Sequence, residues 1–227
     1  MVITADVPIE GDESVALVNA LRSLADGRYG EEACLVIGDV TSAKELADTF
    51  NGDSLLINLL TIAFVFIILI FTFRSVVGAA LLVFVIQGSI WINFTFPYLT
   101  HTRASFVTNM IVSAIQMGAT IDYAIVIMSR YLDLKKLHTP QEAMAQAVNE
   151  SFPTVMTSGT IMTVAGILIA YRVSDVYIGH IGLAVGRGAL ISVILVLSVL
   201  PQLIVLLDKV IEKTTFRKKT KTGGAVE

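Results

Sequence analysis

The sequence predicts a mainly α fold: a polytopic membrane bundle of five transmembrane helices, preceded by a small extracytoplasmic α/β piece. Three observations lead there. Apolar residues make up 55% of the 227 positions and charged residues 15%, far from the balance of an ordinary soluble domain. Five apolar runs reach or approach the ~20 residues a helix needs to cross hydrocarbon. Lys and Arg also collect in alternate connections between those runs, as they do on the cytoplasmic side of membrane proteins.

Residues 1–52 read as the end of an extracytoplasmic α/β domain. Met1 to Ile9 is strand-like. Val15, Leu17, Ala20, Leu21 and Leu24 then recur at helical spacing, with Asp12 or Ser14 as the expected cap. Ala33 to Ile37 is a short apolar strand, Gly38-Asp39 a turn, and Thr41 to Phe50 a second helix leading to the membrane. A strand–helix–strand unit of this size buries too little surface to stand alone, so it is expected to be part of something larger. The lone Cys34 has no internal disulfide partner and no metal-ligand spacing, and is expected to pack in the second strand.

The membrane domain covers 53–208, with spans at about 54–73, 78–99, 105–129, 155–173 and 179–207. The first two are bulky (Phe64, Phe66, Phe71, Leu81, Phe84) and suit lipid contact, with Asn58 and Gln87 as polar exceptions. Span three carries Asn109, Ser113, Gln116 and Thr120 on one stripe and Gly118 and Asp122 on another, so it is expected at the centre of the bundle. Span four offers Thr157, Ser158 and Gly159. In span five, Gly182 and Gly186 form a GxxxG pattern that lets helices approach closely. Between spans three and four, Pro140 opens an amphipathic helix over about 140–152. It is expected to lie on the inner membrane face and to stop at Pro153. Residues 209–227 form a basic cytoplasmic tail suited to anionic membrane lipids.

Arg74, then Arg130, Lys135 and Lys136, then Lys209, Lys213 and Arg217 place the connections after spans one, three and five inside. Residues 1–52, where acidic side chains outnumber Arg22, Arg28 and Lys44, are then outside. No signal peptide or earlier span is present to carry them there, so the chain is expected to be a piece of a longer polypeptide.

Asp122 is the most informative residue. An ionised carboxylate in hydrocarbon is costly, and such residues serve protons, ions or substrates by default. Loss of water raises a carboxyl pKa by disfavouring the charged form, towards the working range of a proton-driven cycle. Tyr123 is placed to help move the proton, and Thr157 and Ser158 are candidate partners from span four. The plain alternative is a neutral Asp making one interhelical hydrogen bond. Likewise Gly118, Gly182 and Gly186 on their own are packing residues. Arg187, the second intramembrane charge, either snorkels to the outer surface or pairs with a buried carboxylate.

Enzymatic readings do not fit. An aspartyl protease needs two carboxylates sharing a site, and the spans hold only Asp122. Ser158 and His180 lie towards opposite membrane faces, His101 and His138 are too scattered to ligate a metal, and no Walker A loop is present. No enzyme activity, cofactor, metal or nucleic-acid partner is expected.

The block Gly118-Ala119-Thr120-Ile121-Asp122-Tyr123 resembles the GxxxDY signature of MmpL-type exporters in the resistance–nodulation–division superfamily. The run Gln116–Tyr131, the blocks Thr157-Ser158-Gly159-Thr160 and Gly186-Arg187-Gly188, and the ending Leu200-Pro201 to Asp208-Lys209 are similar to that family too. The resemblance implies the back of the C-terminal half of a two-half transporter, whose N-terminal half is missing from this chain. It assigns Asp122 and Tyr123 to a proton relay, supported by Gly118, Thr157, Ser158, Gly182 and Gly186. It further implies export of lipids or amphiphilic drugs by proton antiport at the cell membrane. A sterol-sensing-type lipid-binding module and a protein-translocation motor of the same superfamily remain as alternatives.

Overall fold

The computed structural model describes residues 5, 7, 11–30, 36–100 and 106–214. Most of the expected strands over 1–9 and 33–37, with Cys34, and also His101 and the tail beyond 214, lie outside the described residues. Among the described residues every element is helical: α1 (Asp12–Tyr29), α2 (Asp39–Phe73), α3 (Val76–Leu99), α4 (Phe106–Leu134), α5 (Pro140–Arg172), α6 (Val176–Leu206) and α7 (Asp208–Thr214). Five of them contain stretches long and apolar enough to cross a membrane, as the sequence predicts. The α/β character of the N-terminal piece is not among what is described.

The chain divides into two compact units, Met1–Ile57 and Asn58–Glu227. In the first, α1 buries Ser14 and Val18, and Arg22 pairs with Glu45. Neither Asp12 nor Ser14 caps the helix, contrary to expectation. Gly11 holds that position, with a φ of 137° that side chains rarely adopt. The helix expected over 41–50 runs on without a break into the first span. Asn51-Gly52-Asp53 contains no proline, and a single glycine costs a helix only about 1 kcal/mol.

In the second unit α6 is the hub, packing against α3, α4, α5 and α7. Its closest neighbour is α5. A Cβ on Gly166 would stand 2.5 Å from the Gly186 nitrogen and 2.6 Å from the Gly182 oxygen, so the glycines let the two backbones touch. Gly166 on α5 is thus the counterpart of Gly182 and Gly186 on α6. Leu69, Leu82, Ile127, Met128, Tyr131, Leu200 and Ile204 fill the core between the helices. Apolar side chains such as Phe64, Phe71, Phe84 and Trp91 cover the outside.

Three expectations about these helices are corrected. Span two is not simply lipid-facing: Leu82, Ile86, Ser89, Ile90 and Asn93 form a stripe at helical spacing, and α3 buries it. Pro153 does not end a helix, because α5 runs through it from Pro140 to Arg172. The proline removes one backbone donor, a loss that membrane helices tolerate where neighbouring groups compensate. The Ala143, Met144 and Ala147 stripe turns into the protein core instead of lying on a membrane surface. A capping box between Thr139 and Glu142 starts α5.

The end of the bundle holding α7 is tied by Asp208, which is 6% exposed. Its Oδ1 accepts from the Tyr131 hydroxyl at 2.6 Å and from Lys135 Nζ at 2.5 Å. Ser75, which caps α3, lies 3.4 Å from the Ile211 carbonyl oxygen of α7. Lys135, read from sequence as a topology marker, is therefore also half of a largely enclosed ion pair.

Two stability effects are expected. Gly166→Ala forces a Cβ into backbone that cannot yield and should cost at least about 1–3 kcal/mol, the usual penalty of overpacking. Gly118→Ala meets nothing within 4 Å and should leave the melting temperature of the detergent-solubilised chain unchanged or raised. Asp208→Ala leaves the buried Tyr131 hydroxyl without its acceptor and Lys135 with only the exposed Glu212, and should cost more than Tyr131→Phe, which should cost about 1 kcal/mol. Thermal unfolding of the purified variants checks both orderings.

Candidate functional site: the two faces of the third span

Helix α4 presents two polar faces, as its sequence predicts, but they meet different surroundings. On the first, Ser113, Gln116 and Thr120 are buried, while Asn109 at the end of that stripe is exposed. Gln116 is the centre of a hydrogen-bond network joining α3, α4 and α6. Its Oε1 accepts from Asn93 Nδ2 at 2.9 Å. Its Nε2 donates to Ser89 and Ser192, each at 3.2 Å, and lies 3.4 Å from the Gly188 carbonyl oxygen. Thr120 donates to Ser192 at 2.8 Å, and Asn93 also reaches the Ala184 carbonyl at 3.0 Å. Close packing depends on Gly188, where a Cβ would stand 2.5 Å from Gln116 Oε1.

Arg187 has no carboxylate partner among the described residues. Its Nε donates to Asn93 Oδ1 at 2.9 Å and one terminal nitrogen to the Asn93 carbonyl at 3.3 Å. The guanidinium carbon lies 4.7 Å from the centre of the Phe96 ring. It is half-buried and pairs with a neutral amide, not with a carboxylate. Sequence reasoning missed Asn93 and Ser89 altogether. Their four-residue spacing on an otherwise apolar span was the available signal.

The second face of α4 is open. Ala114, Gly118, Asp122 and Ser129 recur at helical spacing and all are exposed. Asp122 has no hydrogen-bond or ion-pair partner among the described residues, and nothing lies within 4 Å of where a Gly118 Cβ would be. This corrects the expectation that spans three, four and five close around Asp122. The reason is angular. Asp122 sits two residues, about 200° around the helix, from Thr120, and the Thr120 side is the one that α3 and α6 bury. Tyr123, about 100° on, goes inward. It is 5% exposed, and its hydroxyl lies 3.9 Å from where a Gly159 Cβ would be.

The candidate partners on span four do not converge on Asp122. Thr157 and Ser158 are exposed, and the Thr157 hydroxyl donates to Pro153 of its own helix at 2.7 Å. Gly182 and Gly186 contact α5, as described above, and not Asp122. Among the described residues no group of three His, Cys, Asp or Glu side chains could hold a metal ion.

With this geometry in view, the comparisons with known proteins are specific. The model of the MMPL family matches residues 2–224. The chain belongs to the MMPL family. Two relatives come from Streptomyces coelicolor. One, named "Putative membrane protein ActII-3", is 26% identical over 77% of this chain and 25% of its own length. The other, "Putative membrane protein SCO5905", is 28% identical over 89% of this chain and 25% of its own length. The chain thus spans about a quarter of the length of these relatives. No solved structure matches it significantly. Family and helices together make it a multi-pass membrane protein.

The Gln116 network yields a prediction. Gln116→Leu leaves Asn93, Ser89 and Ser192 short of a buried partner and should destabilise the chain by at least about 2 kcal/mol. Gln116→Glu, which keeps the acceptors, should cost less when protonated at low pH than when ionised at high pH. Unfolding curves of both variants at two pH values check the ranking.

Proposed function

We propose that this chain is the C-terminal membrane portion of a proton-driven exporter that moves lipids or amphiphilic drugs by antiport. Asp122 takes up a proton from the extracytoplasmic side and releases it inside, with Tyr123 helping the transfer. The observation that carries this reading is the position of Asp122 on the second face of α4. It lies mid-span, exposed and without a partner among the described residues, on a stripe of small residues. The first polar face of the same helix is buried and bonded throughout its middle. A carboxyl left bare in a membrane protein is either held neutral or meets a further protein surface.

In this reading that surface is supplied by the N-terminal half of the same polypeptide. Small residues at 114 and 118 let a helix approach Asp122 closely, as interfaces between membrane helices require. Gly118 then serves the join between halves rather than the packing of this one. Protonation would remove the charge and so change how strongly the two halves attract or repel. That gives the relay a mechanical output without any enzyme chemistry. The partners implied are protons, the lipid or amphiphilic substrate, membrane lipids and the other half. Residues 1–52 stand outside and the tail beyond 209 inside, in keeping with the Lys and Arg distribution.

The test uses the full-length parent protein in proteoliposomes carrying a proton gradient. Asp122→Asn should abolish gradient-dependent export, a loss of at least a hundredfold, with expression and melting temperature unchanged. Tyr123→Phe should reduce it about tenfold, a typical share for one proton-transfer group. Full export by Asp122→Asn would overturn the assignment and favour a lipid-sensing module, which has no need of a titrating group there.

A further inference from the structure

A cavity of about 210 Å³ opens at the end of the bundle where α3 finishes and α4 and α6 begin. Arg187, His180, Asn109 and Thr108 line it together with Phe94 and Pro97. It holds far more than one water, which takes about 30 Å³ in the liquid, and less than a drug-sized molecule, whose sites run from about 300 Å³. A small polyatomic group fits that range.

The charge in the cavity has one sign. A guanidinium carries five N–H donors, and Asn93 engages two of those on Arg187. The others have no acceptor among the described residues, and no carboxylate lines the cavity. Asp175 is the nearest acid in sequence along α6, and it caps that helix by accepting from the Tyr177 and Ile178 nitrogens at 2.9 and 3.1 Å. An uncompensated cation within a membrane span is costly and calls for a counter-charge.

Geometry presents the guanidinium for a ligand. Helical side chains lean towards the N-terminus of their helix, which carries the Arg187 head towards the cavity mouth. There it lies against Phe96, three residues before α3 ends at Leu99. Stacking on Phe96 and the bond from Nε to Asn93 fix the plane of the fork, so the remaining donors are preorganised. A fixed, planar guanidinium with free donors matches the oxygens of a phosphate. His180 and Asn109 add further polar contacts nearer the mouth, and Phe94 and Pro97 form an apolar wall beside them.

We infer that this Arg187 cavity binds a phosphate group, taken from the headgroup of an anionic lipid in the adjacent leaflet or from free phosphate. The site lies on the buried-network side of α4, opposite the Asp122 face, and does not depend on the proposed proton relay.

Native mass spectrometry of the delipidated 227-residue chain in uncharged detergent tests this, with phosphatidylglycerol, diacylglycerol and inorganic phosphate as probes. Wild type should retain one phosphatidylglycerol in preference to diacylglycerol. Arg187→Gln should weaken that binding at least tenfold, and Arg187→Lys less. Leu183→Trp, which fills the cavity and leaves the Asn93 bonds alone, should give the same tenfold loss if Arg187→Gln fails to fold. Displacement of the lipid by millimolar phosphate would assign the site to free phosphate; resistance to displacement would assign it to the lipid. Equal retention of phosphatidylglycerol by wild type and Leu183→Trp, or of diacylglycerol and phosphatidylglycerol by wild type, overturns the site. Asp122→Asn should bind phosphatidylglycerol normally, so failure of the relay and failure of this site are told apart.

Discussion

Hydrocarbon offers no hydrogen bonds, so a polar group inside the membrane must find its partner within the protein or with whatever docks against it. That constraint organises this bundle. Gln116 is large enough to reach α3 and α6 at once, and its amide meets Asn93, Ser89 and Ser192 together. Each of those groups would be costly alone. Joined, they fix the register of three helices more narrowly than interchangeable apolar contacts can. Arg187 is drawn into the same network through Asn93, which holds its head in place.

Close approach is the second device, and the first depends on it. The hydrogen bonds of Gln116 to α6 need the backbone near Gly188, and the meeting of α5 with α6 needs Gly166, Gly182 and Gly186. Apolar side chains drive little association among membrane helices, since lipid is as apolar as leucine. Packing and polar bonds carry that load here. At the far end, Asp208 joins α4 to α7 through Tyr131 and Lys135, so the bundle is pinned by polar contacts at two depths.

Against that background, the bareness of Asp122 is what the proposed proton relay rests on. One helix carries a face with satisfied polar groups and a face with an unsatisfied acid, separated by about half a turn. The first builds the bundle. The second lies open, and in the proposed function it meets a proton and a further protein surface. Helix α5 has a similar double character, since Gly159 and Gly166 are buried while Thr157 and Ser158 are exposed.

The sequence by itself determined the helical class and the number of spans, set small residues at four-residue spacing in the fifth span, and marked Asp122 as the acid within the predicted spans. These follow from apolar run length, from four-residue spacing and from the cost of charge in lipid, all of which act locally along the chain. Only the tertiary structure decided which polar face of α4 turns inward, that Asn93 and not a carboxylate holds Arg187, and that Pro153 leaves α5 unbroken. Those outcomes depend on which neighbour supplies a partner, and a partner brought from 70 or more residues away leaves no trace in local periodicity, as the bond from Gln116 to Ser192 illustrates.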